Sequence, residues 1–326
     1  VGAGLMGYWH ANAARRAGAY ICAIADTNIE ASRRLAGRYP GVETFSTVEQ
    51  MLNNVTLDVL HICTPLNTHV GISELAISAG VNLVVEKPVT PTAVETERIL
   101  EQAAKNGVIL CAVHQLLFQE GVRKAKGLLS QIGRIVHIES TICSAGADSF
   151  TGKQRDLIAA DTLSHPLSLM QYIVPGEILS GNWDMFHPGH GELHAVSKNS
   201  GIHLSIFISM NARPTECSLK IRGTQGTIHI DLFHGYSFLE SGRVSRTRKI
   251  LHPFSFSAVK ICTAIGNLSR RIIKRESAYP GLNKMIDLFY RAVRTHGKSP
   301  ISSEDTLAVA VVRDMLLQGV GLDKGI

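Results

Sequence analysis

Along the first third of the chain, short apolar runs alternate with segments whose apolar positions recur every three to four residues. "AYICAIAD", "LDVLHICTP", "VNLVVEKP" and "VILCAVHQ" are near-continuous apolar runs, as strands buried on both faces show. Between them "IEASRRLAGRY", "NTHVGISELAISAG" and "TAVETERILEQAAKNG" read as amphipathic helices. This alternation predicts an α/β fold with a doubly wound parallel sheet. From "RIVHIESTIC" onward the pattern changes. "ILSGNWDMF", "ELHAVSK", "GIHLSIFISM", "ECSLKIRGT" and "GTIHIDLF" are alternating or β-rich, with turns expected at Pro188-Gly189, Asn199-Ser200-Gly201 and Gly223 to Gly226. They predict a second α/β domain with an open, mainly antiparallel sheet. The expected division is residues 1–113 and 114–326. The last helix, "SEDTLAVAVVRDMLLQG", is expected to be capped by Ser303 and to bury Leu307, Val309, Val311, Val312 and Leu316.

The opening "VGAGLMG" places Gly2, Gly4 and Gly7 in a G-x-G-x-x-G pattern before an alanine-rich helix. Such glycines serve a tight turn, close approach of backbone to a pyrophosphate, and helix-on-strand packing. Asp26 ends the next strand about 20 residues further on, where a carboxylate accepts hydrogen bonds from ribose hydroxyls. It would also repel a 2′-phosphate, so NAD is favoured over NADP. The alternative for Asp26 is an N-cap for the following helix. Because the chain opens at Val1, at the end of a strand, the first strand is expected to be truncated, and a targeting signal upstream stays open. Lys87, with Glu86 and Pro88, stands at a strand's carboxyl end, which in such sheets faces the ligand crevice.

Together, GAGLMG, Asp26, CTPLNTH and Glu86-Lys87-Pro88 resemble the Gfo/Idh/MocA oxidoreductases, relatives of glucose–fructose oxidoreductase and inositol dehydrogenase. The resemblance implies a Rossmann domain followed by an α/β domain that covers the active site and builds dimers or tetramers. Cofactor contacts are then expected from Gly2, Gly4, Leu5, Met6, Gly7 and Asp26. Others are expected from Thr64, Pro65, Asn67, His69, Glu86 and Lys87. It further implies a catalytic set of Lys87, Asp161 and His165, the last two from "AADTLSHP". Lys87 would stabilise charge on the reacting oxygen, His165 would take the hydroxyl proton, and Asp161 would orient the imidazole or bind a neighbouring hydroxyl. The family has a Gly where this chain has Leu163, and Pro166 suggests a helix starting there. His114 and Gln115 are candidate substrate contacts. The implied activity is hydride transfer between NAD(P) and a sugar, cyclitol or nucleotide-sugar. A redox-neutral NAD-dependent glycosidase and a non-catalytic cofactor sensor are the alternatives.

Composition narrows the rest. With 45% hydrophobic and 18% charged residues in 326, the chain has the makings of a soluble globular protein with sizeable cores. The six cysteines form no C-x-x-C pair and read as small buried hydrophobes of a reducing, cytoplasmic compartment. No metal is expected, since His187, His190 and His194 match no strong zinc spacing and sit at a hairpin-like turn. Residues 241–275 hold nine Lys and Arg and no acid. Their stripe of Ile261, Ile265, Leu268 and Ile272 is expected to pack on the sheet. Binding of a phosphate-bearing substrate such as a nucleotide-sugar, or contact with an anionic membrane surface, is the less favoured alternative, and nucleic acid is not expected.

Overall fold

The computed structural model describes residues 1–198, 201–242, 245–276 and 278–322, without the side chains of 246–249. It divides into two units: Val1–His114 with Leu282–Val311, and Gln115–Gly281 with the residues from Val312 onward. The return of Leu282–Val311 to the first unit differs from a single break at 113/114. An amphipathic pattern shows that a helix packs, not what it packs on.

The first unit contains α1 (Leu5–Arg16), β1 (Ala23–Ala25), α2 (Ile29–Ala36), β2 (Glu43–Phe45), α3 (Val48–Asn54) and β3 (Val59–Ile62). It continues through α4 (His69–Ser78), β4 (Asn82–Val85), α5 (Ala93–Lys105) and β5 (Leu110–Ala112). β1 pairs with β2, and β3, β4 and β5 pair in that order, all parallel. The opening backbone links the two sets: the Gly2 amide donates to the Ala25 carbonyl and the Cys63 amide to the Val1 carbonyl, both at 2.9 Å. Helices and sheet enclose a core in which Ile62, Leu83, Val85, Ile99 and Ala112 are fully buried. Such burial on both faces explains why these strands read as unbroken apolar runs.

The second unit contains α6 (Glu120–Gly127), β6 (Ile135–Cys143), α7 (Gly152–Thr162), α8 (Ser164–Ile173) and α9 (Glu177–Ser180). There follow β7 (Asn182–Gly189), β8 (Glu192–Lys198), β9 (His203–Ser209), β10 (Glu216–Gly223), β11 (Gly226–Asp231), β12 (Tyr236–Ser241) and α10 (Arg246–Ile273). The seven strands run β12-β11-β10-β6-β9-β8-β7, antiparallel except for the β6–β9 pair. The sequence pattern misses β12, because Tyr236, Ser237 and Phe238 are all buried and no alternation shows. The first hairpin turns at His190-Gly191, with Gly191 at φ +77°, and Pro188-Gly189 belong to the end of β7. Of the next expected turn, Asn199 and Ser200 lie outside the described residues.

Two helices close the chain, α11 (Leu282–Thr295) and α12 (Ser303–Gly319). α11 lies against α1 and buries Met285, Ile286 and Phe289. The cap of α12 is Ser302 rather than Ser303, its hydroxyl accepting from the Asp305 amide at 3.0 Å. Val311, expected in the core, is 40% exposed on the helix's outer side. Among the cysteines, Cys262 departs from the expected burial and is exposed. The apolar stripe of α10 also faces outward, not onto the sheet.

Candidate active site

The glycine loop has the shape of a phosphate cradle. Gly2 adopts φ +86°, where a side chain is strained, and a Cβ at Gly7 would collide with the Gly2 carbonyl oxygen. Gly7 thus serves packing rather than contact. A Cβ at Gly4 would meet nothing within 4 Å, so open space lies over the loop. Gly4 is the N-cap of α1, with no side-chain cap and no acid in the first turn. The first-turn amides, those of Leu5 and Met6 among them, have no intrahelical acceptor, and the helix dipole favours an anion there.

Asp26 is fixed at the edge of this loop. Its Oδ2 accepts from the Ala3 amide at 2.6 Å and its Oδ1 from the Asn28 amide at 2.8 Å. The side chain that caps α2 is that of Asn28, not Asp26. A cleft of about 1080 Å³ is lined by Gly2, Gly4, Asp26, Thr64, Pro65 and Asn67. Its size and open glycine edge fit a dinucleotide. His69 has a different task from the one expected. It is buried, with Nδ1 3.0 Å from the Pro88 carbonyl and Nε2 2.9 Å from the Thr64 carbonyl, and it braces the loops after β3 and β4 together.

Glu86 is likewise a brace. Its Oε1 lies 3.0 Å from His10 Nε2, and its Oε2 accepts from the Lys87 amide at 3.2 Å. Both Glu86 and His10 are buried. Burial alone would neutralise each, yet the pair stays charged. His10 is raised to about 10, its burial outweighed by Cys63 and Glu86. Glu86 is lowered against its own burial by His10 and Lys87. His10 Nδ1 is 2.9 Å from His61 Nδ1, and His61 Nε2 is 3.1 Å from the Tyr290 hydroxyl. Burial, then the charge of His10, holds His61 well below its ordinary range. A neutral His61 accepts from His10 at Nδ1 and donates to Tyr290 from Nε2, which fixes its tautomer.

Lys87 and His114 sit at the carboxyl ends of neighbouring strands. Val85 pairs with Ala112, the Val113 amide donates to the Val85 carbonyl at 2.9 Å, and each residue stands two positions past that pair. His114 is 4% exposed, and its buried Nδ1 has no hydrogen-bond partner. Burial, then the nearby Lys87 charge, lowers its pKa to about 4, so it is neutral at pH 7. A buried ring nitrogen without a partner beside a cation marks His114 as a candidate for a polar ligand group. Gln115, which opens the second unit, also has a buried side-chain oxygen without a partner.

In the second unit α7 runs into α8 through Leu163, whose dihedrals are helical. Asp161 and His165 are therefore about one turn apart. The helix expected to begin at Pro166 begins at Ser164. Leu163, in place of the family's Gly, is fully buried. Arg313, which the sequence analysis did not single out, is 2% exposed. Burial lowers its pKa, while Asp161 and Asp314 oppose that shift, so Asp161 also serves as a counter-charge. A lone arginine inside "VAVVRDMLL" was the available signal. The structure also regroups the histidines. Asp156 receives His187 Nε2 at 2.9 Å, His190 Nδ1 at 2.6 Å and the Gly191 amide at 2.7 Å. His194 stands apart, between the rings of Phe186 and Phe207.

Residues 1–114 match the model of an oxidoreductase family with an NAD-binding Rossmann fold, GFO_IDH_MocA. This first unit therefore resembles the Gfo/Idh/MocA oxidoreductases. It is 23% identical over 203 residues to the 1-carboxy-3-chloro-3,4-dihydroxycyclohexa-1,5-diene dehydrogenase of Comamonas testosteroni, covering 58% of this chain and 51% of that protein. The chain thus spans about half the length of that relative. To the NADP⁺-dependent scyllo-inositol 2-dehydrogenase IolU of Bacillus subtilis it is 22% identical over 230 residues, 66% of this chain and 69% of that one. Its fold matches the WlbA dehydrogenase of Bordetella pertussis, solved with NADH and UDP-GlcNAcA. The TM-score is 0.75 and the identity 18%, over 100% of this chain and 94% of that chain.

The Glu86–His10 pair yields a prediction with a definite sign. The folded pKa of His10, about 10, exceeds the ordinary 6.5. The stabilisation is therefore fully present below pH 6.5 and is lost as pH rises through 10. His10→Ala strands a buried carboxylate and should cost about 3–5 kcal/mol at pH 7. In urea unfolding the wild type should lose stability between pH 7 and 10 more steeply than the variant. Parallel curves would show that the imidazole carries no charge.

Proposed function

We propose that this chain is an NAD(P)-dependent dehydrogenase or reductase acting on a hydroxyl-bearing carbon of a sugar, cyclitol or sugar derivative. The observation that carries this is the placing of Lys87 and the partnerless His114 nitrogen at adjoining strand ends, on the unit that bears the glycine cleft. Bound nicotinamide supplies the hydride acceptor or donor. Lys87 donates a hydrogen bond to the reacting oxygen and stabilises negative charge there as alcohol and carbonyl interconvert. Neutral His114 orients a substrate hydroxyl. From the second unit, the family resemblance assigns His165 as proton acceptor and Asp161 as its orienting carboxylate. Relatives that handle inositol and a UDP-sugar support the substrate class, a nucleotide-sugar included.

Asp26 favours NAD, since its carboxylate at the loop edge would repel a 2′-phosphate. A homo-oligomer is supported by Phe186 and Phe207, which stay partly exposed on one side of β7, β8 and β9.

Nicotinamide absorbance during a screen of polyols, sugars and nucleotide-sugars tests the proposal. Lys87→Ala should lower kcat by about 10²–10³ while NADH affinity, read by calorimetry, stays near the wild type's. Full turnover in that variant would end the proposed mechanism. Asp26→Ala should weaken NAD(H) by about tenfold or more and relax discrimination against NADP(H). An unchanged preference would leave Asp26 as a loop anchor alone.

A further inference from the structure

α10 is amphipathic in the wrong sense for a helix that only packs on its own sheet. At 3.6 residues per turn, Ile250, Phe254, Ile261, Ile265, Leu268 and Ile272 form one stripe. All six are between 57% and 73% exposed. The opposite, largely polar side is the one held to the protein. His252 Nε2 lies 2.8 Å from Glu240, and Phe256 stacks edge-on against Phe238. Asn267 donates to the His234 carbonyl at 2.9 Å, Arg271 donates to the same carbonyl at 3.1 Å, and Arg270 pairs with Glu120 at 2.6 Å. These contacts fix which side points away. An apolar face presented by a helix of 28 residues, about 42 Å long, is far more than scattered surface hydrophobes.

We infer that this face docks on an anionic lipid bilayer, with α10 lying in the plane of the interface. The charge of the segment selects that partner. Residues 241–275 hold nine Lys and Arg and no Asp or Glu, and they are basic at both ends of the helix. A second copy seated helix against helix would bring like charges together in either orientation. A bilayer carrying anionic headgroups accepts the apolar stripe to a depth of about 5–10 Å and attracts the net positive charge of the segment. No helix among the described residues is long and apolar enough to cross a membrane, so the helix lies on the surface rather than spanning it. The docking does not depend on the catalytic proposal.

Flotation of the purified full chain with phosphatidylcholine vesicles, with and without phosphatidylglycerol, tests this. The wild type should float with the anionic vesicles, and the bound fraction should fall as salt is raised. Ile265→Glu with Leu268→Glu should abolish flotation, while the circular dichroism spectrum and NADH affinity stay unchanged, since both positions are exposed. Failure of the wild type to float would overturn the inference, as would equal flotation with uncharged vesicles. A wild-type dimer that the double variant turns into a monomer would assign the face to a second copy instead.

Discussion

A buried ion pair, Glu86 with His10, is the interaction on which the arrangement of the Rossmann unit turns. It joins the residue that follows β4 to the helix that follows the glycine loop. Through His61 and Tyr290 it reaches β3 and the returning helix α11. Neither partner can be removed cheaply, because the other would remain charged and buried. Glu86 also accepts the Lys87 amide, so the backbone that carries Lys87 is held by the same group that holds the loop helix.

Three histidines of this unit show how local charge decides protonation. His10 lies beside Cys63 and the Glu86 carboxylate and is kept charged, although burial opposes it. His61 sits beside that cation and His114 near Lys87, and both are driven neutral. Like charges are thereby kept apart in a medium that screens them poorly. The proposed functional consequence is at His114. A neutral imidazole with an unsatisfied nitrogen can meet a hydroxyl without competing with Lys87 for negative charge.

The strand–helix alternation of the first unit, its glycine loop and Asp26 were legible because each rests on local sequence: apolar period, glycine spacing and strand-end position. What could not be read were tertiary choices. His69 and Glu86 lie in the motifs that carry the resemblance, and only three-dimensional contacts show which loops they brace. Arg313 near Asp161, and Asp156 with His187 and His190, come together across long sequence distances that no spacing rule reaches. The return of α11 to the first unit is of the same kind. For α10 the period was visible and the direction was not. A hydrophobic stripe has the same sequence signature whether it faces a sheet or solvent.

The claim that Glu86 and His10 act as one unit is tested most directly by a double-mutant cycle of Glu86→Gln and His10→Ala, read by urea unfolding at pH 7. Residues that share a buried charge pair should show a coupling of about 0.5–3 kcal/mol, with the double variant losing less than the sum of the single losses. Additivity within about 0.3–0.5 kcal/mol would contradict the account. It would mean that the two side chains touch without holding the loop and the Lys87 turn together.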